Sequence, residues 1–201
     1  MDLEVITDFC ALNSDILSVY RVGSGSFVGT EDTKDIDLLI VTEKGDIKKK
    51  IEGYDCFTWS YADFVNMIHL NTDALGTYLG EKYFKQAALL SVVQGNLIYG
   101  RELIPSGYNF FEYKKQILNF VLDFGKINYF NKYLCYMIDG QKYCAKWIYY
   151  ALWVYYVFQN HSLELTDTQR EMIALGHACR LPLRYRDELQ IALQEMLLST
   201  E

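Results

Sequence analysis

The stretch Val19-Tyr20-Arg21-Val22-Gly23-Ser24-Gly25-Ser26, followed after a short spacer by Asp35-Ile36-Asp37-Leu38-Leu39-Ile40-Val41, decides how this chain reads. An alternating segment ends in a glycine-serine turn, and an apolar run with two carboxylates at its head follows at close range. A run of branched and aliphatic residues bounded by turn chemistry predicts a β-strand. Alternate side chains of a strand share a face, so Asp35 and Asp37 are expected to project together. Two acids side by side repel unless a cation lies between them, and hard carboxylate oxygens suit a divalent ion such as Mg²⁺. Turn glycines let backbone N–H groups approach a polyphosphate, and Ser24 or Ser26 adds a hydroxyl donor. Phosphate-gripping glycines beside a metal-gripping acid pair are the parts required for phosphoryl or nucleotidyl transfer.

Working outward, Asp8 to Leu17 predicts an opening helix and Ser18 to Val22 a first strand. Lys34 to Thr42 is the second strand, with Glu43-Lys44-Gly45-Asp46 as turn chemistry after it. Ile47 to Ile51 carries Lys48, Lys49 and Lys50 and reads as a solvated helical turn. Gly53 to Trp59 is a third strand, and Ser60 with Asp63 three residues on has the form of a capping box before Phe64, Val65 and Ile68. Thr72 to Val93 reads as a long helix, and Leu97 to Gly100 as a short strand against the sheet. Pro105-Ser106-Gly107 marks a boundary. Beyond it, Phe110 to Met137, Gln141 to Gln159, Thr166 to Cys179 and Arg184 to Leu198 have helical spacing. The expected class is α+β, with a mixed-sheet domain over 1–104 and a helical bundle over 105–201.

The composition is that of an ordinary globular chain: 201 residues, 51% apolar and 22% charged, enough to bury a core. Its net charge of −7 argues against indiscriminate nucleic-acid binding, since no overall positive field exists to release counterions. A local basic groove stays possible. The five cysteines are odd in number and scattered, with no Cys-x-x-Cys pair, which is the usage of reduced thiols in a cytoplasmic protein. The start, Met1-Asp2-Leu3-Glu4, lacks an apolar signal core. The most apolar stretch, Trp147 to Phe158, is shorter than the roughly 20 residues that span a bilayer.

The Gly23-Ser24 turn, the ten-residue spacer and Asp35-Ile36-Asp37 together resemble the nucleotidyltransferase superfamily typified by DNA polymerase β. The motif covers roughly residues 15 to 60, while the helical remainder is similar only in layout to the small antibiotic and minimal nucleotidyltransferases. Leu97-Ile98-Tyr99-Gly100-Arg101-Glu102-Leu103 is a phrase such proteins carry at this place. The resemblance implies a palm domain, metal ligation by Asp35, Asp37 and Asp55, and a triphosphate held at Gly23 and Ser24. Gly25 and Ser26 form the rival turn, two residues closer to the acids. Lys146, beside Trp147, resembles a lysine that contacts the outer phosphates. ATP or another nucleoside triphosphate would be the donor, Mg²⁺ the cofactor, and AMP the transferred group.

Each feature has an everyday alternative. Gly-Ser-Gly-Ser alone is more often a flexible turn than a phosphate site. Asp55 alone is an edge-strand acid facing solvent, and Lys146 a snorkelling lysine beside a core tryptophan. The aromatic run Trp147, Tyr149, Tyr150, Trp153, Tyr155, Tyr156 and Phe158 reads first as core and second as a stacking platform. Arg180, Arg184 and Arg186 read as a solvated helix start or as a contact for an anionic acceptor. Arg170 and His177 loosely resemble the Arg…His pair of a helical ribonuclease family, with helix packing the plainer reading. Glu112, Asp123 and Asp139 are the candidate general bases, and nothing in the sequence ranks them. The expected acceptor is a hydroxyl on a small molecule or a protein, with an RNA 3′ end or a turnover-dead scaffold as rivals.

Overall fold

The computed structural model describes residues 2–23, 26, 36–45, 49–71, 79–130, 140–177 and 184–199. The chain is α+β, and its contacts divide it into two units, Met1–Tyr108 and Asn109–Glu201. Among the described residues are a four-stranded mixed sheet and seven α-helices.

The first unit is built on that sheet. Its strands are β1 (Ile16–Val22), β2 (Asp37–Thr42), β3 (Asp55–Ser60) and β4 (Leu97–Gly100), in the spatial order β3-β2-β1-β4. β1 runs antiparallel to both β2 and β4, whereas β2 and β3 are parallel. Strand alternation then sorts the side chains. Val19, Leu38 and Ile40 turn to one face, where Ile6 and Cys10 of α1 (Leu3–Ala11) complete an apolar cluster with Ile16 and Ile51. Tyr20, Leu39 and Phe57 turn to the other face. Tyr20 stacks on Phe64 of α2 (Tyr61–Ile68) at 5.6 Å, and Phe57 meets Phe84 of α3 (Leu79–Val93) at 4.0 Å. Covering both faces explains why β2 is buried along nearly its whole length. Each fully buried aliphatic side chain there contributes about 1.5–3 kcal/mol.

Two local devices fix the strands. Ser60 ends β3 and is also the N-cap of α2: its hydroxyl accepts from Asp63 N at 3.0 Å, and the Ser60 N–H donates to the Asp63 carboxylate at 3.3 Å. The expected capping box is therefore present, with no loop between strand and helix. At the other edge Gly100 lies in the left-handed region (φ +87), where a Cβ would sit 2.9 Å from both the Leu17 carbonyl carbon and Ser18 Cα. Only glycine allows that approach. Next to it Ser18 donates to the Arg101 carbonyl, while the Glu102 carboxylate accepts from Tyr20 Oη at 2.9 Å and from the Leu103 and Ile104 amides. The Gly100-Arg101-Glu102-Leu103 phrase thus fastens β4 to β1.

Several expectations need correction. The opening helix lies at Leu3–Ala11, capped by Asp2, and not at Asp8 to Leu17, because Ile16 and Leu17 belong to β1. Lys49 is no solvated lysine: its ammonium donates to Asn13 at 2.9 Å and pairs with Asp15 at 3.0 Å. Residues 49–51 form no helical turn; Lys48 lies outside the described residues. For the long helix expected over Thr72 to Val93, residues 72–78 also lie outside them.

The second unit is helical. A 3₁₀ turn over Phe110–Tyr113 leads into α4 (Lys114–Phe130), followed by α5 (Gly140–Asn160), α6 (Asp167–His177) and α7 (Arg184–Leu198). From Trp147 to Val154 every residue of α5 is buried, so this helix is enclosed by its neighbours. α4 supplies Ile117, Leu118, Val121 and Leu122, α6 Ile173, and α7 Leu189 and Leu193. The Trp147 indole donates to the Val121 carbonyl at 2.9 Å, and Phe110 stacks on Phe158 at 5.6 Å. Among the described residues no helix is long and apolar enough to cross a membrane.

Candidate active site

Three strand ends meet at one end of the sheet. Val22, the last residue of β1, pairs with Asp37, the first of β2, and Asp37 pairs in turn with Asp55, the first of β3. Register partners share a face, so the Asp37 and Asp55 side chains leave the sheet on the side of α2 and α3. Neighbouring strands lie about 4.8 Å apart, which sets the spacing from which the two carboxylates start. The register is fixed locally by the Asp55 N–H, which donates to the Ile36 carbonyl at 3.0 Å. Asp37 is half-buried and Asp55 is exposed.

Gly23 closes the arrangement. It leaves β1 with φ +74, and a Cβ built on it would lie 3.0 Å from Asp37 Cγ and 3.2 Å from Asp37 Cβ, driving into the carboxylate. The turn is therefore pressed against this acid, and a side chain at position 23 is excluded both by space and by backbone conformation. Ser26 folds back: its N–H donates to the Gly23 carbonyl at 3.1 Å and its hydroxyl donates to the same oxygen at 2.8 Å. Ser26 Oγ also lies 2.9 Å from the hydroxyl of Ser91 on α3. Ser24, Gly25 and Asp35 lie outside the described residues, as does the Lys146 side chain. Among the described residues no group of three or more His, Cys, Asp or Glu side chains is gathered as a metal cluster.

Around the acids the sheet is apolar and aromatic. On the Asp55 face, Trp59 meets Phe84 edge-on at 5.9 Å and lies under the Lys85 ammonium at 5.9 Å. On the opposite face, burial pushes the Cys56 thiol above its ordinary range, the Ile51 N–H opposes that shift, and the Asp55 carboxylate adds to it.

The remaining candidates separate from this site by their own surroundings. Trp147 is buried and spends its indole N–H on Val121, so it is core. Tyr149, Tyr150, Trp153 and Phe158 are buried too, while Tyr155 and Tyr156 are half-buried. Arg186 is 2% exposed, with its guanidinium 5.7 Å above the Trp147 ring, which corrects the expectation of a solvated helix start at this residue. Arg184 is exposed and Arg180 lies outside the described residues. Arg170 donates to the Leu165 carbonyl at 3.3 Å; the His177 side chain is not among those described. Glu112 and Asp123 are exposed on the second unit, Glu112 accepting from Asn109 at 3.3 Å, and Asp139 is outside the described residues. Sequence reading missed Ser91, whose only signal is a serine inside the apolar run Ala87 to Val93.

No protein-family model matches the chain, and neither do curated proteins or solved structures.

Proposed function

We propose that this protein is a Mg²⁺-dependent nucleotidyltransferase that moves a nucleoside monophosphate, AMP from ATP in the first instance, to a hydroxyl acceptor. One observation carries the proposal: a left-handed glycine turn packed against Asp37, with Asp55 in register across the parallel β2–β3 pair. In this reading the first unit is a nucleotidyltransferase palm and the second a helical bundle. The scattered cysteines fit a cytoplasmic, reducing setting.

The donor set fits Mg²⁺, because aspartate oxygens are hard ligands and the absent side chain at Gly23 lets the Asp37 carboxylate lie against the turn. Asp37 and Asp55 would hold the ion, with Asp35, two residues earlier in the sequence, as the third acid. Bound there, Mg²⁺ would neutralise phosphate charge and lower the pKa of an acceptor hydroxyl. The chain's own groups supply the rest. Strand pairing fixes the Asp37 main chain and the Gly23 turn packs against its carboxylate, so the acid would be in place before reaction. Exposed Asp55 is the acid within reach of an acceptor and would orient its hydroxyl. Attack forms a bond from the acceptor oxygen to the α-phosphorus, breaks the bond to the bridging oxygen, and releases pyrophosphate; the hydroxyl proton leaves to a base. Gly23, with Ser24 or the rival Gly25-Ser26 pair, would hold the triphosphate.

Pyrophosphate release, measured with each of the four ribonucleotides against hydroxylated small molecules, protein extracts and RNA, tests the proposal and assigns the acceptor class. Labelled ATP leaving a labelled protein band identifies a protein acceptor. The exposure of Asp55 on an edge strand favours one rival, a nucleotide-binding scaffold of the same fold without turnover. Calorimetry separates the two: uptake of Mg²⁺-ATP with no pyrophosphate under any acceptor selects the scaffold, and no uptake at all rejects both.

A further inference from the structure

We infer that Ser91 on α3 is a positioning residue for the phosphate turn, holding Gly23 against Asp37 through the hydroxyl of Ser26; the binding part of this inference rests on the nucleotidyltransferase reading.

Ser91 is a polar residue at a place where the helix has no local need of one. Ser91 is fully buried between apolar neighbours Leu90 and Val92. A buried hydroxyl is costly unless bonded, and a helical serine ordinarily satisfies itself on the carbonyl four residues back. Ser91 does have that option, with the Ala87 carbonyl at 3.2 Å. Yet its oxygen is nearer to Ser26 Oγ, at 2.9 Å. The hydroxyls can therefore form a directed chain.

Either hydroxyl can donate across this contact, and one direction serves the turn. Ser26 has one hydroxyl proton, and the Gly23 carbonyl lies 2.8 Å away to receive it. The Ser26 oxygen then accepts from Ser91, whose single proton is shared in time between Ser26 and Ala87. The Gly23 carbonyl already accepts the Ser26 N–H at 3.1 Å, so it is held by two donors from one residue. Linked hydroxyls polarise one another, and each link strengthens the next. The chain from Ser91 to Ser26 to Gly23 ties α3, a rigid element, to the residue whose missing side chain lets the turn lie on Asp37. It also commits the Ser26 hydroxyl to the turn itself, which leaves Gly23-Ser24 as the better donor pair for a triphosphate.

The test uses the full chain with Ser91→Ala, Ser26→Ala and the double variant. Residue-resolved amide exchange at Ser26 reads the coupling without any ligand, and calorimetric titration with Mg²⁺-ATP reads its consequence. Expected are faster Ser26 exchange in S91A, a 3- to 10-fold weaker Mg²⁺-ATP affinity, and a double variant no weaker than S26A alone. Ser91→Cys, similar in size and a poorer donor, should fall between wild type and S91A. Unchanged Ser26 exchange in S91A overturns the coupling. Faster exchange with unchanged affinity, or additive losses in the double variant, overturns the role in binding. A wild-type protein that takes up no nucleotide overturns the parent reading, and the binding role with it, while the exchange result still judges the coupling.

Discussion

The two units treat charge in opposite ways. In the sheet unit, Asp37 and Asp55 stand at the first positions of adjacent strands, one half-buried and one exposed, at the end where β1 turns at Gly23. In the helical unit, Arg186 is shut inside and lies over the Trp147 ring, whose own N–H is spent on Val121. A charge at a strand end keeps access to an incoming ion or anion. One enclosed by aromatic surface holds helices together. A charged residue's use therefore follows from its burial and its neighbours more than from its type.

Substitutions at Asp37 and Trp147 separate the two units most sharply. Asp37→Asn should lower turnover by about a thousandfold or more, equivalent to about 4 kcal/mol of barrier, while the protein stays folded. Steady-state pyrophosphate release with a parallel thermal melt checks both halves, and a variant that keeps its rate would sink the acid-pair mechanism. Trp147→Ala should do the reverse, costing about 3–5 kcal/mol of stability through a large cavity. Urea unfolding measures it, and a loss under 1 kcal/mol would show that the indole is not core.

Gly23→Ala comes next. The left-handed backbone and the clash with the Asp37 carboxylate should cost about 1–3 kcal/mol and weaken Mg²⁺-ATP uptake. Full affinity in G23A would detach the turn from the site. The smallest effect is a control on the apolar face. Burial pushes the Cys10 thiol from its ordinary value near 9 up to about 11. The unfolded chain then loses this proton first, so stability falls as pH rises from about 9 towards 11 and is complete below that window. Cys10→Ala should make the fall near pH 9 shallower in a chemical-denaturation series, leaving the parts due to Cys56, Tyr20 and Tyr156, which burial also raises.

How much of this was legible depends on how local each cause is. The β2 run and the Ser60–Asp63 cap are set by neighbours within a few residues, and the sequence announces both. The aromatic run of α5 also reads correctly as core, because apolar residues on every side of a helix leave it no face for water. The helix at Leu3–Ala11 was misplaced because Leu12, Ile16 and Leu17 continue an apolar spacing that belongs to two elements; the true signal is the Ile6 and Cys10 pair four apart behind the Asp2 cap. Lys49 and Arg186 were misread for another reason. Their partners, Asn13 with Asp15 and Trp147, lie more than thirty residues away, and no local pattern encodes them. At the site, the Asp37–Asp55 pairing needs only strand alternation and a parallel register, whereas Ser91 enters solely through packing.

Ser60, being at once the last rung of β3 and the cap of α2, makes the helix a mechanical stop for the strand. Sliding β3 by a single residue would pull the cap from its amides and unwind the first turn of α2. It would also turn Asp55 to the opposite side of the sheet. The distance between the two acids is thus gauged from the far end of the strand, by a serine that never meets them.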